Sequence, residues 1–228
     1  MTNNQHNQLS PAAAKADSTI ADARRSLSGY SLVETVIVVA LICVLSAIAL
    51  PQIVAERRLT RAVGVTREIL SQMRLARQLA MSQRQAMTFQ YNNATKQISI
   101  IDHNSNLGAA LFLDPAYPST AGSVVISSTP LANAGLFQTE IAYGIPAGLP
   151  NGALADGISM TALTNNQLNV TFQPDGSVID LTGNPVGRAM YIYNNQASQG
   201  TASAISVMGA SGRVKIWRYD RSVNLYVE

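Results

Sequence analysis

Apolar and polar positions along this chain follow two successive periods. Residues 35–55 carry no charge and are largely aliphatic. Such a run, about 20 residues long, can cross a bilayer as a helix. Beyond Pro51 the pattern becomes helical and two-faced. Leu59, Ala62, Val63, Thr66, Ile69, Leu70, Met73, Ala76, Ala80 and Met87 recur at helical spacing, and Arg67, Arg74, Arg77 and Arg84 share another face. The apolar stripe predicts a helix laid on a sheet. The arginine row reads as a solvated face. Residues 30–85 are therefore expected to form one helix of roughly 80 Å.

After residue 85 the period shortens to two. Residues 86–91 and 96–101 alternate across a polar loop at 92–95, which predicts a β-hairpin. The stretch 103–157 is rich in Gly, Ala, Pro, Ser and Asn, with short strand-like pieces such as 123–127. It reads as loops carrying one or two strands. Strands return at 167–173 and 177–181, joined by the turn Pro174-Asp175-Gly176. Four more follow at 188–193, 202–208, 213–219 and 223–227. The fold class expected is α+β, a long N-terminal helix packed on an antiparallel β-sheet domain. Residues 1–29 would be a leader, 30–55 a transmembrane half of the helix, 56–85 the half packed on the sheet, and 86–228 the β-rich domain.

Composition narrows the chemistry. The chain has 228 residues, and its single cysteine, Cys43, lies inside the apolar run. The only histidines are His6 and His103. A zinc site or a Cys/His nucleophile is not expected. No phosphate-binding loop, dinucleotide motif, HExxH or Gly-x-Ser-x-Gly is present. The reading is a non-enzyme with no cofactor and no metal. Asp175, Ser177 and Asp180 offer oxygen ligands, but turn formation explains them better than calcium. The net charge of +3 is too small to imply nucleic acid.

Glu34 lies at the entrance of the apolar run, where a carboxylate is costly in lipid and usually has a partner or a task. On a plain anchor it would snorkel to the interface, which its position near one end permits. A signal peptide cut after Ala47-Ile48-Ala49 would discard it. Gly29-Tyr30-Ser31-Leu32-Val33-Glu34 and the run behind it resemble the class III signal of type IV pilins and type II secretion pseudopilins. Arg24 and Arg25 would form the basic leader, and Pro51 falls where many pilins carry a helix-kinking proline. The resemblance implies cleavage between Gly29 and Tyr30 by prepilin peptidase and N-methylation of Tyr30. It also implies a single-pass inner-membrane protein with its C-terminal domain in the periplasm. Its partners would be other pilins or pseudopilins in a filament and the inner-membrane assembly platform. Glu34 would pair with a neighbouring subunit's N-terminal amine and fix axial register, since an unpaired buried charge is expensive.

The C-terminal half carries a second resemblance. Phe172-Gln173-Pro174-Asp175-Gly176-Ser177, the strand near 189–193, and Gly209-Ala210-Ser211-Gly212-Arg213-Val214-Lys215 are similar to the GspH/FimT subgroup of pseudopilins and minor pilins. Strand alternation places Arg213, Lys215, Trp217, Tyr219 and Arg221 on one face. Basic and aromatic residues so interleaved can contact phosphates and stack bases. FimT-like minor pilins include DNA receptors with a basic Gly-Arg-x-Arg-type motif, matched here in part. The readings left open are a structural minor pilin or pseudopilin, a DNA-binding minor pilin for natural transformation, and a signal-peptide-bearing periplasmic β-protein. On the first, the basic face is solvated and Trp217 packs against a loop.

Overall fold

A computed structural model describes residues 31–104, 122–131, 138–180 and 184–228. The leader, Gly29 and Tyr30 lie outside the described residues. The chain divides into two units, Met1–Pro51 and Gln52–Glu228. One helix, α1 (Leu32–Gln83), begins in the first and continues into the second. In the first unit its side chains from Leu32 to Leu50 are all exposed. The segment is long and apolar enough to cross a membrane.

In the second unit the helix is amphipathic as the spacing predicts. Ala62, Val65, Thr66, Ile69, Met73, Ala76 and Ala80 are buried. They recur every three or four residues, so they form one stripe. Leu59, counted with that stripe from sequence, is exposed instead. The stripe meets two antiparallel sheets rather than one. The first is ordered β3-β2-β1-β5, from β1 (Met87–Asn92), β2 (Gln97–Asp102), β3 (Val124–Pro130) and β5 (Gln167–Phe172). The second is ordered β4-β6-β7-β8-β9, from β4 (Ile141–Tyr143), β6 (Arg188–Asn194), β7 (Ser203–Val207), β8 (Val214–Asp220) and β9 (Leu225–Val227).

Both sheets send alternate residues into a core shared with the helix. Met87, Phe89, Tyr91, Ile98, Ile100, Val170 and Phe172 come from the first, and Met190, Ile192, Ile205, Val207 and Val214 from the second. The opposite residues of the second sheet build another core. Ala189, Tyr191, Ala204, Trp217 and Tyr226 pack with Leu149 and Leu154 of the loop that follows β4. The second sheet is thus covered on both faces, which is why all five residues of β7 are buried.

The strand expected at 177–181 does not form over its described residues. Val178 and Ile179 make only isolated bridges, to Phe172 and Pro185. The Val178 amide donates instead to the Gly209 carbonyl at 2.7 Å. Strands β3 and β4 fall in the stretch 103–157, read as loops carrying one or two strands, and a short helix, α2 (Ser198–Thr201), has no counterpart in the sequence reading.

Candidate assembly helix and basic strand

Glu34 lies in the first turn of α1 and is exposed. A carboxylate there faces the unpaired amides of the helix start, which favours it. Beside it the Thr35 hydroxyl donates to the Leu32 carbonyl at 2.8 Å, so that hydroxyl is satisfied within its own turn. Every apolar side chain of the next four turns is exposed, so this face has no cover within the unit. An exposed apolar surface of this length is the kind that marks membrane or protein contact.

The basic strand is built differently from the alternation argument. Parity holds, since Lys215, Trp217 and Tyr219 share a face of β8. That face is not open at its centre. Trp217 is 3% exposed and sits between Ala204 and the loop carrying Leu149 and Leu154. Its Nε1 donates to Ser206 Oγ at 2.8 Å, and Ser206 Oγ donates to Asp156 Oδ2 at 2.5 Å. Asp156 also accepts from the Ile158 amide at 3.1 Å, so the loop is tied to the strand through the indole. Trp217 is therefore not an exposed stacking surface; it packs against a loop, as the structural reading expects and the DNA-binding reading does not.

The other members are dispersed. Tyr219 packs edge-on to Tyr226 and donates its hydroxyl to Asn224 Oδ1 at 2.8 Å. Arg221 lies past the end of β8 and is exposed in the turn to β9. Lys215 Nζ donates to Glu228 Oε2 at 2.6 Å and lies 5.1 Å from the centre of the Trp217 ring. Arg213 is 67% exposed at its side chain and reaches Glu228 Oε1 at 3.8 Å. Glu228 thus neutralises part of the basic edge. The Lys215 hydrogen bond holds its carboxyl below the usual range.

The turn residues shared with the GspH/FimT pattern are architectural. Asp175 Oδ1 accepts from the Ser177 amide at 2.8 Å and from its hydroxyl at 2.6 Å, closing the turn and lowering the Asp175 pKa. Asp180 Oδ1 accepts from the Asn184 amide at 2.9 Å. Each carboxylate is engaged by its own loop. Among the described residues no group of three or more His, Cys, Asp or Glu side chains is placed to hold a metal ion. The turn at Gly176 and the turn at Gly212 touch each other and Arg77. Arg77 Nη2 donates to the Ser211 carbonyl at 3.0 Å, so it is not part of a solvated row as its spacing suggested. The clue available in sequence was its place next to the apolar stripe, one residue after Ala76.

No protein-family model and no curated protein matches the chain. Two crystal structures of the type IV minor pilin FimU from Pseudomonas aeruginosa strain PAO1 are similar to it. One superimposes with a TM-score of 0.39 at 16% identity, over 67% of this chain and 84% of that one. The other gives 0.38 at 16% identity, over 67% and 89%. At this identity and superposition the likeness carries no inference about function.

Proposed function

We propose that the chain is a minor pilin or pseudopilin of the GspH/FimT type, a structural subunit of a type IV pilus or a type II secretion pseudopilus. The observation that carries this is that the Gly29–Glu34 motif leads, in sequence, into a helix that is uncharged from Thr35 to Ala55 and exposed from Leu32 to Leu50. A membrane anchor needs only the apolar length. A subunit that leaves the bilayer for a filament also needs a polar handle at the helix start, and Glu34 supplies it. In this reading prepilin peptidase removes residues 1–29 and methylates Tyr30. The subunit waits in the inner membrane with its C-terminal domain in the periplasm. It then joins other pilins, drawn by the assembly platform. The DNA-binding alternative keeps its charges at Arg213 and Arg221 but loses its stacking platform at Trp217.

Intact-mass and N-terminal peptide analysis of membrane fractions tests the processing step. The expected product begins with N-methyl-Tyr30, and Gly29→Val abolishes it. A mature N-terminus at Leu50 would establish the signal-peptide reading instead.

A further inference from the structure

Two groups of cations that lie far apart in sequence meet in the folded second unit. Arg74, Arg77, Gln78 and Met81 of α1, with Arg213 and Val214 at the start of β8, line one cleft of about 460 Å³. Arg77 anchors its floor through Ser211, and its Nε is buried without a hydrogen-bond partner. Neither Arg74 nor Arg77 has a carboxylate within 4.0 Å among the described residues, and Arg213 has only the long contact to Glu228. Three guanidinium groups so gathered repel one another until an anion joins them.

We propose that this cleft receives the carboxylate of an acidic side chain on a protein partner. A guanidinium presents a planar fork of donors that matches a carboxylate with two parallel hydrogen bonds. Met81 and Val214 give the cleft apolar walls suited to the methylenes of a Glu or Asp side chain. The cations form a compact cluster instead of a track along which phosphates could run, and the nearby indole is buried. Glu228, shared between Lys215 and Arg213, is an internal competitor for the incoming carboxylate. The proposal stands on the cleft alone and does not presuppose a filament.

The test uses the full chain in non-ionic detergent and a fluorescein-labelled hexaglutamate peptide, followed by anisotropy at about 0.1 M salt. Charge-assisted hydrogen bonds of this kind predict that Arg74→Gln with Arg213→Gln weakens binding at least about tenfold. Both side chains are exposed, so the fold is expected to survive, and a thermal melt checks it. Arg61→Gln removes the same charge roughly 20 Å along the helix, beyond the screening length of about 10 Å, and should change binding less than about twofold. Glu228→Gln should tighten binding. Failure of the peptide to bind overturns the proposal, as does equal loss in Arg61→Gln. It is also overturned if an oligothymidylate probe binds more tightly than the peptide and depends on Arg74 and Arg213, because the cleft then serves phosphates.

Discussion

Gly212 sits at φ +59°, and a methyl group built on it would lie 1.7 Å from the Gly176 carbonyl oxygen. The left-handed conformation alone would cost an alanine about 1–2 kcal/mol. The clash adds to this because backbone, not a flexible side-chain tip, stands in the way. Gly212→Ala is expected to destabilise the second unit by at least about 3 kcal/mol. Gly157 is the comparison, with φ +81° and nothing within 4 Å of the added methyl. Gly157→Ala should therefore show the conformational cost alone, about 1–2 kcal/mol. Urea unfolding of the two variants separates strain from packing. Equal losses would mean that the contact between the Gly176 and Gly212 turns contributes nothing. The glycines of the Gly176 and Gly212 turns thus act first as spacers that let two loops approach each other and Arg77.

Along α1, one continuous helix does two jobs because its composition changes while its period does not. From Ala62 to Ala80 the buried stripe is one-sided, and Thr66 even bonds Ser203 of β7 across the interface at 2.9 Å. From Leu32 to Leu50 the apolar residues run around the whole helix, so no side is left for water. Glu34 is the exception in that half. If it neutralises a neighbouring subunit's N-terminal amine, Glu34→Val should leave insertion and cleavage intact but impair assembly. Loss of one partner from a buried charge pair costs about 3–5 kcal/mol. Co-purification of partner pilins with wild type and variant reads this out, and unchanged recovery would remove the register role. In β8 the same principle works at another period. Alternation sends Val214 to the helix core and Trp217 to the loop core, so the strand is buried on both sides at its centre.

The stability of the β-rich unit as a whole should depend on His103. Its ring is buried, with Nε2 2.8 Å from Thr88 Oγ1 and Nδ1 3.1 Å from Ser123 Oγ. Burial disfavours the charged imidazolium and lowers its pKa from 6.5 to about 4. Between those values the unfolded chain binds the proton and the folded chain does not. Stability is therefore fully present above about pH 6.5 and falls as the pH drops toward 4. The lowered carboxylates of Asp175 and Glu228 act in the same direction but at lower pH, since their contribution is lost only as pH falls below the ordinary values of 3.8 and 4.5. Denaturant unfolding of the full chain from pH 7.5 to 4.5 should show the decline, and His103→Gln should flatten it. A wild-type slope equal to that of the variant would rule out His103 as its source.

Local pattern was enough to place the helix, the first hairpin and the strands at β5 to β9, because helical and alternating periods are written in neighbouring residues. Coverage was not legible. Alternation put Trp217, Lys215 and Tyr219 on one face, but only the return of the loop with Leu149 and Leu154 decided that the indole is buried. Strand β4 is three residues long and exists by pairing with β6, some 50 residues away. Val178 lost its strand to a hydrogen bond that its amide donates to the Gly209 carbonyl of a distant turn. The arginine row of the helix became part of a cleft because Arg213, more than 130 residues later, is brought beside Arg74 and Arg77. Secondary structure follows from the periodicity of adjacent side chains. Exposure depends on which remote segments cover each face, and that was settled only when the chain folded.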